Sequence, residues 1–201
     1  HDGWRWLLLW PAISFGGVAI GYVHLGPAVF GKNKYGVISP IRQLLLAPYL
    51  IYLHLVWHSA RLLKREPAWN QVTDRIYIGR RLLSHELPKD IEHVIDLTCE
   101  FAETTALRSR TYHSFQILDA AAPSTEKLVD WINFTADLEG IIYIHCAEGH
   151  GRTGLFAALL LVRLGRFSKT ADALAYIKTQ RPLVGLNRQQ SLSLEEAAKQ
   201  I

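Results

Sequence analysis

Residues 141–165 read IIYIHCAEGHGRTGLFAALLLVRLG. The first five form a short apolar run of strand type, and 152–165 is an apolar helix candidate that closes on a C-cap glycine. Between them HCAEGHGRTG, residues 145–154, carries Gly149, Gly151 and Gly154, which let a tight loop turn. A strand, such a loop and a helix make an anion cradle. Successive backbone N–H groups wrap a phosphate, and the helix N-terminus adds partial positive charge. The same amides, with Arg152, would stabilise a thiolate at Cys146, a ready nucleophile for phosphorus. Arg152 can fold back to grip two phosphate oxygens with its planar fork, and Thr153 is placed to hydrogen-bond the sulfur.

Outward from this stretch, apolar runs at 75–79, 93–98 and 112–118 read as further strands. Residues 124–140, 169–180 and 191–199 read as helices, the first opening on Pro123, Ser124 and Glu126. The alternation predicts an α/β domain over 66–201, a central mostly parallel sheet flanked by helices, with ligands at the carboxyl ends of its strands.

Composition excludes several classes. At 49% hydrophobic and 20% charged residues the chain is not disordered, and two cysteines make no disulfide framework or zinc scaffold. A net charge of +4, from 22 basic against 18 acidic residues, is no nucleic-acid signature. Neither the histidines nor the cysteines of the second part have metal-ligand spacing, so no metal and no cofactor is expected.

The first 60 residues hold only five charges, Asp2, Arg5, Lys32, Lys34 and Arg42. Residues 6–31 and 43–60 are uncharged runs, worth roughly 39 and 27 Å of helix against a hydrocarbon core of about 30 Å. They predict a two-helix transmembrane hairpin in residues 1–65, with helices about 6–31 and 43–60; the alternative is a buried helical pair in a soluble protein. Trp4, Trp6, Trp10, Tyr49, Tyr52 and Trp57 are available as interfacial aromatics. Basic flanks, with Arg5, Arg61, Lys64 and Arg65 on one side and Lys32, Lys34 and Arg42 on the other, lean towards termini in the cytoplasm and the hairpin loop outside. A required thiolate also favours the reducing compartment.

HCAEGHGRT, residues 145–153, resembles the H-C-x5-R-[S/T] signature of the cysteine-based tyrosine and dual-specificity phosphatases. VTDRIYIG and HVIDLTCE are similar to the opening strand and the next core strand of the dual-specificity group, the latter followed by an acidic residue. The resemblance, which covers roughly residues 70–201, implies a phosphoric monoester hydrolase. Cys146 would be its nucleophile, Arg152 and Thr153 its partners, and Ala147, Glu148, Gly149, His150 and Gly151 its phosphate-binding loop. His145 would order that loop through hydrogen bonds. Asp119, in QILDAAAPS, matches the loop aspartate that protonates the leaving oxygen and later helps water cleave the phosphocysteine. Gln189 and Gln190 match the segment that positions this water, and Cys99 stands near the site of a second thiol that can trap an oxidised nucleophile.

The short connection from the second apolar run to the α/β part would hold the site near a bilayer. That favours a phospholipid headgroup of phosphatidylglycerophosphate type, with the bilayer as partner. Glu148 and the lack of a loop lysine resemble protein-directed enzymes instead, so a phosphotyrosine or phosphoserine protein is the alternative substrate. A non-catalytic module that binds phosphorylated groups is the alternative of another class. Arg75, Arg80, Arg81, Arg108 and Arg110 are candidates for a phosphate- or lipid-facing basic surface.

Overall fold

The computed structural model describes Gly3 and residues 6–201; Trp4 and Arg5 lie outside the described residues, as does the side chain of Trp6. Helix α1 (Trp6–Ile20) runs on through a π turn at Gly21–Leu25 and a 3-10 turn at Gly26–Phe30. Helices α2 (Pro40–Leu45) and α3 (Ala47–Leu63) follow a loop at 31–39. The α/β part then contains β1 (Trp69–Gln71), β2 (Ile76–Arg80), β3 (His93–Thr98), α4 (Thr105–Arg108), β4 (Thr111–Ile117), α5 (Thr125–Ala136) and β5 (Ile142–Cys146). It closes with α6 (Gly151–Arg163), α7 (Thr170–Gln180) and α8 (Arg188–Ala198).

The sheet order is β1-β2-β5-β3-β4, parallel except for the β1–β2 edge pair. The α/β architecture with a mostly parallel sheet therefore stands as expected. Strands IYIGR, HVIDLT and IYIHC are almost wholly buried, the pattern of central strands covered by helices on both faces. Helix α6 is buried from Arg152 to Leu161 and packs on β5, α5, α7 and α8. Each of its buried leucines stabilises the fold by roughly 1.5–3 kcal/mol. Strand β1 was not expected, because three residues are too few to show a period. Helix α4, of four residues, has no counterpart in the sequence reading, and the other strands and helices of the α/β part fall within a few residues of it.

The N-terminal part corrects the transmembrane hairpin. Among the described residues one helical run, Leu7–Phe30, is long and apolar enough to cross a membrane by length and composition. The second stretch is interrupted between α2 and α3, where Leu46 leaves helical geometry, and α3 buries Leu50 and Trp57. The two helices do pack together, with Phe15 5.4 Å from Tyr49 ring to ring and Tyr49 N donating to Ser14 Oγ at 3.2 Å.

Their connecting loop is bonded to the α/β sheet. Lys32 Nζ reaches Asp96 Oδ2 at 2.5 Å and Thr98 O at 3.0 Å, Gln116 Nε2 donates to Lys32 O at 2.9 Å, and Glu103 N donates to Gly36 O at 2.8 Å. A hydrocarbon core of about 30 Å cannot lie between groups in hydrogen-bond contact. The loop and the α/β part are therefore on one side of any membrane, and an outside loop with an inside domain is excluded. Val18, Val29, Phe30, Leu46 and Leu50 form one core cluster with Cys99 and Leu118. Val18, Leu46 and Leu50 pack towards the α/β part while most large apolar side chains of α1 stay exposed, and Lys32 is neutralised by Asp96.

Candidate active site

The four parallel strands end at one edge of the sheet. The ends of β3, β4 and β5 lead to Glu100, Asp119 and the 146–151 loop. Cys146, the last residue of β5, is 3% exposed, and its Sγ accepts a hydrogen bond from Gly149 N at 3.2 Å. Gly149 has φ +76 and lies against the Gly79 carbonyl, so a side chain there would be strained and would collide.

A loop that turns its N–H groups inward turns its carbonyls outward, and a buried carbonyl needs a donor. Here the donors come from afar. Ala147 O accepts from Trp57 Nε1 at 2.8 Å and Arg81 N at 3.2 Å. Glu148 O and Gly149 O accept from Arg181 Nη2 and Nε, both at 3.0 Å. Arg181 is itself held by Glu66 at 2.6 Å and by Asn70 and Pro67 O at 2.9 Å. Neither Trp57 nor Arg181 carried a signal of this role in the sequence, since both act across long stretches of chain.

Arg152 is 1% exposed, and its fork is held by protein acceptors where the sequence reading expects phosphate oxygens. Its Nη1 donates to Glu100 Oε2 at 3.0 Å and Ile117 O at 2.9 Å, and its Nη2 to Glu100 Oε1 at 2.7 Å. Asp119 Oδ1 is 3.1 Å from the same Nη2. Burial alone would raise the Glu100 carboxyl, but the Arg152 guanidinium holds it below its ordinary value. The pair fixes the fork and leaves Arg152 Nε without a partner among the described residues, a donor suited to a phosphate oxygen. Asp119 is 71% exposed and stands at the rim. Asp96 is consumed by Lys32 and Asp130 is exposed on α5, while Asp119 lines the cavity over Cys146 together with Glu100, which is held by Arg152, and Glu148, which is held by Lys64.

The other expected residues divide. His145 is fully buried, stacks on Tyr143 with 5.4 Å between ring centroids, and lies 3.7 Å from Glu103, behind the loop. His150 pairs with Glu66 at 2.8 Å and with Glu148 at 3.3 Å. Glu148 also pairs with Lys64, and the His150 and Lys64 hydrogen bonds lower its carboxyl to about 2 against a smaller opposing effect of burial. Thr153 is buried, but its hydroxyl has no partner among the described residues, so the expected bond to sulfur is not made.

Gln190 is 2% exposed, donates to Ala121 O at 3.2 Å and lies against Gly151, whereas Gln189 is exposed. The structure therefore brings Gln190, and not Gln189, to the loop. Cys99 and Cys146 are both free. The Cys99 thiol is directed at Glu100 and Ile117 O, and burial with the Glu100 charge pushes it well up, which disfavours the thiolate a redox partner needs.

Asp96, Glu103 and His145 place ligand-type atoms within 4.8 Å of one another, but the Lys32 ammonium already supplies the cation there. Four of the five arginines proposed as a basic surface are committed elsewhere, Arg110 being the exception. Arg75 bonds the carbonyls of Leu138 and Gly140, Arg80 pairs with Glu86, Arg81 bonds Ala102 O, and Arg108 bonds Glu103 O.

A cavity of about 280 Å³ opens over Cys146, with Asp119 and Glu100 on one side and Tyr22, Tyr49, Leu53 and Trp57 of the N-terminal helices on the other. Such a site can hold a phosphate against a nucleophile with an acid at its rim.

Residues 72–166 match the family model described as polymorphic toxin system, DSP-PTPase phosphatase. A protein of Invertebrate iridescent virus 6 named as tyrosine phosphatase 197R is 33% identical over 91 residues, covering 39% of this chain and 34% of the viral protein. Dual specificity protein phosphatase CDC14A of Mus musculus is 30% identical over 87 residues, covering 43% of this chain and 14% of that protein. The chain thus spans about a third or less of the length of these relatives. Tk-PTP in the active form shares the fold with a TM-score of 0.59 and 24% identity, over 67% of this chain and 99% of its own. PTPMT1 in complex with PI(5)P does so with a TM-score of 0.57 and 17% identity, over 66% and 96%. A parallel sheet ending in a cysteine loop, with a buried arginine folded back over it, defines a cysteine-dependent phosphatase domain. Residues 72–166, just under half of the chain, resemble the cysteine-based tyrosine and dual-specificity phosphatase superfamily.

Proposed function

We propose that the protein is a phosphomonoester hydrolase working through a phosphocysteine, and that its substrate is a phosphate on a phospholipid headgroup, of phosphatidylglycerophosphate type, at a membrane surface. The observation that carries the chemistry is that Cys146 and Asp119 line one cavity, with the Arg152 guanidinium 3.1 Å from Asp119. The Cys146 thiolate attacks phosphorus and the P–O bond to the alcohol breaks as Asp119 hands its proton to the leaving oxygen. The loop amides and Arg152 hold the other phosphate oxygens throughout. Water, oriented by Gln190 and giving its proton to Asp119, then attacks the phosphocysteine and releases phosphate and thiolate.

Three features support the lipid. Tyr22, Tyr49, Leu53, Val56 and Trp57 give the cavity over Cys146 an aromatic and apolar lining, which suits the apolar part of a lipid. Leu8, Ile13 and Ile20 of α1 and Ile51 and Leu55 of α3 are exposed, an apolar surface continuous with that wall and suited to the bilayer boundary. PTPMT1, which shares the fold, was solved in complex with PI(5)P. The place of Tyr22 in the lining of the cavity over Cys146 supports helices that rest in the membrane interface on the side of the α/β part, and the need for a thiolate supports the cytoplasm.

The test is phosphate release by the full chain from phosphatidylglycerophosphate vesicles and from a phosphotyrosine peptide, with Cys146→Ser as control. Faster Cys146-dependent turnover of the lipid is expected. Turnover of the peptide alone would make this a membrane-tethered protein phosphatase, and release from neither would leave a phosphate-binding module.

A further inference from the structure

We propose that Trp57 is a positioning residue of the phosphate loop, so that helix α3 is part of the catalytic apparatus and not a tether. The loop binds an anion only while the 147–149 carbonyls point away from it, and each of these carbonyls is held by a side-chain donor. Arg181, from the α/β part, holds Glu148 O and Gly149 O. Ala147 O, next to the nucleophile, is held by the indole N–H of Trp57 at 2.8 Å, 90 residues away in sequence.

Trp57 is 3% exposed, so no water replaces that bond when it is lost. Its ring is locked between Phe101, 6.1 Å away, and the guanidinium of Arg81, 5.5 Å away. The helix that carries it is anchored at both ends to the α/β part, through Lys64 on Glu148 and through the core shared by Leu46, Leu50, Cys99 and Leu118. With the indole N–H absent, Ala147 O keeps only the longer bond from Arg81 N at 3.2 Å, and the peptide between Ala147 and Glu148 is free to turn its N–H away from the anion.

The effect on turnover rests on the phosphatase reading above; the effect on anion binding does not. The test is Trp57→Phe in the full chain, which keeps the ring and removes the donor. Tungstate, a phosphate mimic, is titrated calorimetrically, and kcat and KM are measured on p-nitrophenyl phosphate. The tungstate Kd is expected to rise about tenfold, the loss of one buried hydrogen bond, with unchanged stoichiometry and a matching fall in kcat/KM carried mainly by KM. Partial unfolding would instead lower the stoichiometry at unchanged Kd, and with it the positioning role would fall. Equal tungstate affinity in the two proteins, or none in the wild type, overturns the proposal. Tungstate binding that weakens as expected in a protein without Cys146-dependent turnover supports the positioning role and sinks only the hydrolase.

Discussion

The ammonium of Lys32, in the loop between the N-terminal helices, lies 2.5 Å from the carboxylate of Asp96 on β3, and neither side chain is exposed. Removing one partner of such a pair leaves a buried charge alone, which costs about 3–5 kcal/mol. Lys32→Met is expected to lower unfolding stability by that amount in urea titrations at pH 7.

The pH dependence of that loss follows from Asp96. Burial alone would raise its carboxyl, yet Lys32, with His145 and Tyr112, holds it well below the usual range. A carboxyl with a depressed folded value stabilises the fold fully above its unfolded value of about 3.9 and loses this contribution as pH falls towards the folded value. In Lys32→Met burial raises this carboxyl instead, so the stability gap is expected to begin narrowing above about pH 4, as the variant's Asp96 takes up a proton, and to narrow further below it. A gap constant from pH 7 to 3 would show that the pair is not what Lys32 contributes.

A chain starting at Pro67 would lose Lys32 and uncover Cys99, Phe101 and Leu118, all buried in the full chain. It is expected to aggregate or to melt well below the full chain, read by light scattering and thermal denaturation. A monomeric chain of unchanged Tm would restore the picture of a separable anchor.

Asp119→Asn removes the proton donor while leaving Cys146 and Arg152 in place. On an alkyl phosphate, whose leaving alcohol needs a proton, kcat should fall by about 10²–10⁴. On p-nitrophenyl phosphate, whose leaving group departs as an anion, the loss should be much smaller. An equal loss on both would remove Asp119 from the role of acid.

Glu100→Gln would keep the shape of the Arg152 clamp but take away its charge, weakening two bonds of 2.7 and 3.0 Å. The Arg152 fork would loosen, and kcat/KM should fall about ten- to a hundredfold, with phosphate product inhibition weakened in parallel.

Gln190→Ala should slow hydrolysis of the phosphocysteine more than its formation, giving a burst of alcohol before steady state in rapid-quench kinetics. Gln189→Ala should change neither step, since Gln189 is exposed while Gln190 is buried against Gly151.

What the sequence by itself determined is local. The order strand, loop, helix around HCAEGHGRTG, the spacing of Cys146 to Arg152 and the alternation of apolar runs are set by a few consecutive residues, and each survives in the structure with its bounds nearly unchanged. Asp119 was also legible, because a loop acid after a strand is a short-range pattern. The partners that hold the loop were not. Trp57, Glu100 and Arg181 meet it across 90, 52 and 33 residues or so of chain, and no periodicity records such a meeting. The same limit misled the reading of residues 1–60. A helix that buries one face against a neighbouring sheet and a helix that faces lipid have the same uncharged composition. It took the long-range pairing of Lys32 with a carboxylate on β3 to show that the loop joining these helices lies on the same side of any membrane as the active site.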